Sequence, residues 1–320
     1  MQLHGVHHVT AVTAQVSHNV AFFTQVLGLR LVKKSVNQDD VSAYHMFYAD
    51  KVGSPGTDMT FFDWAQIGPN RRGSDSIATT AFRVNGRSAL DYWAARFDEL
   101  NVKHEAIESV GDRDILQFED PEGQRLTLVD DGGAPFEGEV WTGAGIPEAH
   151  AIRGFYGVTL STPALSSIAP ILTQVLEWQE INRYVNSEGE VTVVYAMDGG
   201  GPGKEVQVVE QAKAKYAMLG AGGVHHVAFR VKHDAEQDYW RKRLVSFGLG
   251  ASPLIDRFYF HSVYFRISNG ILFEIATDGP GFAADEPLET LGEKLALPPF
   301  LEPQRAQIEA GLKPIETVKQ

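Results

Sequence analysis

Two histidine pairs, His7-His8 and His225-His226, are the first residues that could do chemistry. Each sits in a near-repeat, Gly5-Val6-His7-His8-Val9 and Gly223-Val224-His225-His226-Val227, 218 positions apart. A third group, Glu274, is isolated in the apolar run Gly270-Ile271-Leu272-Phe273-Glu274-Ile275-Ala276. A carboxylate buried there needs a cation or a hydrogen-bond partner. Two imidazoles and one carboxylate on a single metal face leave positions open for reactants. That is the donor set of non-haem Fe(II) oxygenases, and it also suits Mn(II) or Zn(II). Strand neighbours point to opposite faces, so one histidine of each pair should reach a given site. Val227, Phe229 and Val231 form the apolar face, which turns His226 with Ala228 to the concave side. The same parity selects His8 with Thr10. The expected ligands are His8, His226 and Glu274.

The elements that must hold these groups emerge from internal repetition. Ala-Phe-Arg-Val occurs at 81–84 and 228–231, and Asp-Tyr-Trp at 91–93 and 238–240, both 147 positions apart. At that offset Thr79 matches His226, and Thr127 matches Glu274. One scaffold is thus written once with two threonines and once with His and Glu, so the scaffold itself does not require the ionisable pair. Gly157-Val158-Thr159-Leu160 resembles Val9-Thr10-Ala11-Val12 in its setting, which gives four units starting near residues 3, 77, 151 and 222. Each opens with an alternating strand, continues with a helix (19–27, 88–100, 166–176 and 234–247), and closes with several strands. The plan is α+β, four βαβββ modules. Residues 1–130 hold modules one and two, and 131–150, rich in Gly, Pro and Ala, connect them to 151–277 with modules three and four. Residues 278–320 form a tail with one helix around 302–312.

Composition narrows the class. With 43% hydrophobic and 22% charged residues the chain can bury a core. It has no cysteine, so disulfides and thiolate metal sites are excluded. The formal charge of −13 argues against nucleic acid as a partner. No apolar run is long enough for a membrane span, and the first residues lack the basic flank and apolar stretch of a signal peptide. A cytoplasmic location is therefore expected, and a homo-oligomer is compatible with this size.

At these residues the sequence resembles the vicinal oxygen chelate superfamily of glyoxalases, bleomycin resistance proteins and extradiol dioxygenases. Within it the chain is most similar to hydroquinone ring-cleaving dioxygenases. The resemblance runs through Leu3–Thr10, Asp120–Asp130, Gly223–Phe229, Asp256–Asp278 and Leu295–Glu302. It implies two half-open barrels of paired modules, and the histidine positions put the metal in a barrel of modules one and four. It implies Fe(II), or Mn(II), on His8, His226 and Glu274, with His7, Thr10, His225, Arg257 and Tyr264 acting around the metal. The implied reaction joins O2 to a small aromatic diol, a substituted hydroquinone, and opens its ring. Two other activities occur in such a superfamily. A glyoxalase-type isomerase or lyase would draw a fourth ligand from Met59–Trp64, where Asp63 is the acidic candidate. A non-catalytic protein would bind an aromatic compound and usually lacks the full triad.

Tyr264 has separate support, because pairing Ile267 with Ile271 across Ser268-Asn269-Gly270 sets it opposite Glu274. His7 and His225 pose a conflict. Alternation turns them away from the cleft, whereas the resemblance places them near it, and a β-bulge would reconcile the two.

Overall fold

A computed structural model describes residues 1–267 and 269–315. The first unit contributes β1 (Val6–Thr13), β2 (Arg30–Asn37), β3 (Asp40–Ala49) and β4 (Asp58–Asp63). The second contributes β5 (Ser76–Val84), β6 (Glu108–Val110), β7 (Arg113–Glu119) and β8 (Arg125–Asp130). β9 (Phe155–Thr162), β10 (Gln179–Val185), β11 (Val191–Ala196) and β12 (Glu205–Glu210) belong to the third. The fourth holds β13 (Val224–Val231), β14 (Ile255–Asp256), β15 (Phe260–Arg266) and β16 (Leu272–Pro280). Helices α1 (Val16–Ala21), α2 (Arg87–Leu100), α3 (Leu165–Pro170) and α4 (Asp234–Ser246) follow the opening strands, and α5 (Arg305–Gly311) lies in the tail. No described helix is long and apolar enough to cross a membrane.

The strands form two eight-stranded mixed sheets, β14-β15-β16-β13-β1-β4-β3-β2 and β10-β11-β12-β9-β5-β8-β7-β6. At the centre of each, the opening strands of two units pair antiparallel, β1 with β13 and β5 with β9. Each opening strand also pairs in parallel with the closing strand of its own unit. The first sheet therefore joins units one and four, the second units two and three, as two half-barrels of an α+β fold. Helices cover the outer faces with fully buried residues such as Trp93 and Phe97 of α2 and Trp240 and Leu244 of α4. The opening strand β1 is buried along its whole length, because one face meets this core and the other the barrel interior.

Two helices depart from the single α-helices that the spacing predicts. After α1 and α3 the chain continues as π-helix, over Phe22–Val26 and Ile171–Val175. Thr24 and Thr173 supply a cause. Their hydroxyls donate to the carbonyls of Val20 (2.7 Å) and Ala169 (2.9 Å), four residues back, which competes with the α-helical ladder. The carbonyls left at each end are bonded by an arginine of the next unit, Arg96 to Gln25 and Val26, and Arg243 to Gln174 and Val175.

The turn at Ser268-Asn269-Gly270, of which Ser268 lies outside the described residues, sets Tyr264 opposite Glu274 as expected. The tail packs on the sheet of units one and four. The fully buried Lys33 of β2 meets Asp285 at 2.7 Å and also Glu286, and its ammonium lies 4.8 Å over the Tyr259 ring. Phe282 and Leu291 join Val32, Phe47, Ala228 and Phe260 in a small apolar cluster there.

Candidate metal centre

Three neighbouring strands supply the expected ligands: β1 carries His8, β13 His226 and β16 Glu274. Ala228 stands opposite both His8 and Glu274 in the pairing, so a small side chain separates the two and lets them meet over it. One donor atom from each residue lies within 4.8 Å of the others, and no fourth His, Asp or Glu among the described residues joins the group. All three are almost sealed, at 3%, 4% and 0% exposure. Glu274 Oε2 lies 3.2 Å from His8 Nε2 and 3.0 Å from His226 Nε2. Neither approach has hydrogen-bond geometry, and Oε2 has no hydrogen-bond partner among the described residues. Its companion Oε1 accepts the Ser262 hydroxyl at 2.5 Å.

The protons explain this arrangement. His7 Nε2 lies 3.1 Å from the Thr277 carbonyl, which can only accept, so the His7 proton is on Nε2. His7 Nδ1 is then an acceptor, and His8 Nδ1, 2.9 Å away, must donate to it. That leaves His8 Nε2 with a bare lone pair aimed at a carboxylate oxygen. Such a set attracts a cation, and neutral imidazoles held by a hydrogen bond at their far nitrogen are a common form of metal ligand. The donor chemistry thus fits a divalent metal on His8, His226 and Glu274.

The conflict over the outer histidines resolves in the backbone. Between β1 and β13 the register slips twice, once between Val6 and His8 and once opposite Thr10 and Ala11. The extra residues are His7 and His225. Each bulge turns its histidine against the next one, with Nδ1···Nδ1 separations of 2.9 and 2.7 Å. His7 is buried and His225 half-buried.

The other expected residues surround the triad at different ranges. Thr10 is fully buried, stands opposite His226, and accepts the Thr60 hydroxyl at 2.9 Å. The Tyr264 ring meets that of His226 edge-on at 5.8 Å. Arg257 lies 5.4 Å over the Tyr264 ring, but its guanidinium pairs with Asp39 at 2.9 and 3.2 Å. It ties the β2–β3 hairpin to the approach to β15, and Gln38 reinforces the tie by donating to the Arg257 carbonyl.

Residue spacing gave no sign of Ser262, Asp58 or His45. Ser262 holds the second oxygen of Glu274. Asp58 pairs in register with His8, and both its oxygens are buried without a hydrogen-bond partner among the described residues. Burial pushes its carboxyl up to about 8, against the pull of His8. His45 projects from β3 to Thr60. Strand parity would have found it once the register of β3 was known.

Electrostatics agree with the protonation argument. Burial opposes the charge on Glu274, yet His8 and His226 hold its carboxyl well below the usual range. Burial, aided by His8, lowers His7 to about 3, and burial with His226 lowers His225 to about 3, so both are neutral. At His8 burial lowers the pKa, but the neighbouring Glu274 charge outweighs it and raises the pKa overall. Burial, then Glu274, raises the Tyr264 phenol against the pull of Arg257.

Residues 5–128 match the family described as the Glyoxalase/Bleomycin resistance protein/Dioxygenase superfamily. Over the full chain, the sequence is 45% identical to a Bacillus subtilis (strain 168) protein provisionally named ring-cleaving dioxygenase MhqA, covering 99% of this chain and 100% of that one. It is 29% identical to the chlorohydroquinone/hydroquinone 1,2-dioxygenase of Sphingobium indicum, across 94% and 93% of the two chains. A crystal structure of a provisionally assigned dioxygenase from Bacillus subtilis superposes with a TM-score of 0.90 at 37% identity, over 100% and 99% of the chains. Glyoxalase I from Zea mays shares the fold at a TM-score of 0.62 and 10% identity, over 86% and 92%. The chain belongs to the glyoxalase/bleomycin resistance protein/dioxygenase superfamily.

Proposed function

We propose that this chain is an Fe(II)-dependent ring-cleaving dioxygenase acting on a substituted hydroquinone or a related aromatic diol. The observation that carries the reading is Glu274 Oε2, buried and unbonded between two imidazole nitrogens. Full-length similarity to proteins named ring-cleaving dioxygenases supports it, one of them named for hydroquinone. Three protein donors leave room on a metal for two reactants. Bound Fe(II), or Mn(II) in its place, supplies the redox chemistry that lets electron density pass from the aromatic ring to O2.

The chain's own residues do the rest. His7 keeps the proton of His8 on Nδ1, so Nε2 stays available, and Ser262 fixes the rotation of Glu274. His225, neutral and bonded through Nδ1 to His226, is the histidine best placed to donate from Nε2 to the oxygen of an entering phenolate, because it is half-buried while His7 is sealed. Tyr264, kept as a neutral phenol, can donate to an oxygen anion beside His226. Phe260, 5.0 Å from the His8 ring, and Phe62, 6.5 Å from the His226 ring, offer apolar walls for an aromatic substrate.

The test is oxygen uptake by protein stripped of metal, reloaded anaerobically with Fe(II), and given methylhydroquinone. We expect uptake that requires iron, one O2 per ring lost, and a ring-opened acid as product. Firmly bound iron without uptake on hydroquinones would overturn the reading.

A further inference from the structure

His45 lies on β3, half-buried, its ring 3.9 Å from that of Phe47 and 4.5 Å from that of Phe62. Its Nε2 is 2.9 Å from the Thr60 hydroxyl. Thr60 uses its own proton to bond Thr10. The Thr60 oxygen therefore accepts a hydrogen bond from His45, which puts the imidazole hydrogen on Nε2. Nδ1 is left as a bare acceptor with no hydrogen-bond partner among the described residues. The aromatic pair and the Thr60–Thr10 chain together hold the ring in one orientation. Burial lowers the His45 pKa well below the ordinary histidine value, with His8, His226 and Arg257 adding to it, so the ring stays neutral.

The place of His45 relative to the triad gives the acceptor its meaning. Phe62 neighbours both, its ring 6.5 Å from that of His226 and 4.5 Å from that of His45. An aromatic ring lying along Phe62, with one oxygen at the triad, turns its far end toward His45. Only a para diol carries a hydroxyl at that far end.

We propose that His45 Nδ1 accepts a hydrogen bond from the second, para hydroxyl of a hydroquinone whose first oxygen lies at the His8–His226–Glu274 centre, and so selects 1,4-diols. This inference rests on the hydroquinone reading of the site and adds the residue that reads the distal oxygen. No proton is transferred at His45. It fixes the ring's tilt and disfavours phenols that lack the second hydroxyl, because they forgo this hydrogen bond and shut the half-buried acceptor off from water.

The test uses protein loaded with redox-inert Zn(II) and isothermal titration calorimetry under nitrogen, comparing hydroquinone with phenol. The two ligands differ only in the distal hydroxyl. We expect the unaltered protein to bind hydroquinone about 10-fold more tightly, the worth of one good hydrogen bond. His45→Gln can still donate to Thr60 through its amide nitrogen but carries its acceptor oxygen away from the Nδ1 position, and should bind both ligands equally. His45→Asn keeps a polar group near Nδ1 and should restore part of the preference. A general disturbance of the site would weaken both ligands together, whereas loss of the acceptor weakens hydroquinone alone. A preference that survives in both variants would overturn the role of His45 while leaving the proposed function standing. Failure of the unaltered protein to bind either ligand would overturn both.

Discussion

In the half-barrel of units one and four, His8, His226 and Glu274 converge on one point; at the matching places in the other half-barrel stand Gly157, Thr79 and Thr127. The frames agree closely. Both central strand pairs carry two bulges, at His7 and His225 in one and at Tyr156 and Ala78 in the other. The differences begin with the backbone at Gly157, where a Cβ would lie 2.2 Å from the Glu205 carbonyl oxygen, so no histidine fits without a shift. Around it the contents diverge as well. Where Phe260 packs on His7 and His8, the second half-barrel has Arg113, bonded to both oxygens of Glu205 at 2.8 and 3.0 Å. Glu205 itself occupies the register position of Asp58. That half-barrel lines a half-open polar pocket of about 380 Å³. Metal capacity is thus a property of a handful of side chains on a repeated frame.

The largest expected difference between the halves follows from removing a ligand. Glu274→Gln should weaken metal binding by more than the roughly 10- to 100-fold typical of changes to groups that only orient ligands. The matched Thr127→Val should leave metal content per chain unchanged by elemental analysis. Next in size is the backbone contrast. Gly157→Ala should cost about 1–3 kcal/mol, read as a lower urea midpoint, since overpacked sites must move backbone. A neutral result would show that the second frame can accept a side chain after all.

The bulge histidines give a smaller effect. His7→Phe removes the acceptor that sets the His8 proton, and metal affinity should fall about 10-fold. Tyr156→Phe at the matching bulge should not alter it. In metal-free protein the same histidines set a pH slope. Their pKa values fall from 6.5 in the unfolded chain to about 3 in the fold, chiefly through burial. Between those limits the unfolded state binds protons that the fold excludes, so stability drops as the pH falls from about 6.5 toward 3, by at most about 1.4 kcal/mol per pH unit for each histidine. Urea midpoints across that range should flatten in a variant with both His7 and His225 replaced by Phe.

Much of this contrast was readable in the residues, because the 147-residue repeat lines up Thr79 with His226 and Thr127 with Glu274, whereas the likeness of Gly157 to Val9 is one residue out: strand pairing sets Gly157 at the place of His8. Strand parity then chose His8 over His7 and His226 over His225 for the convergent positions. It could not place the outer histidines, since a bulge inserts one residue without any distinctive type at the slip. His45, Ser262 and Asp58 were hidden for a related reason. Their importance comes from lateral register, and no local spacing reports which residue of a neighbouring strand lies alongside. The π-helical turns escaped because Thr24 and Thr173 look like ordinary helix residues until their hydroxyls are seen to take a carbonyl.

Anomalous diffraction at the iron edge, from crystals grown anaerobically with Fe(II), would test the contrast between the two half-barrels most directly. We expect one peak per chain, bounded by His8 Nε2, His226 Nε2 and Glu274 Oε2, and none near Gly157, Thr79 and Thr127. Iron bound elsewhere, or in both half-barrels alike, would contradict the account.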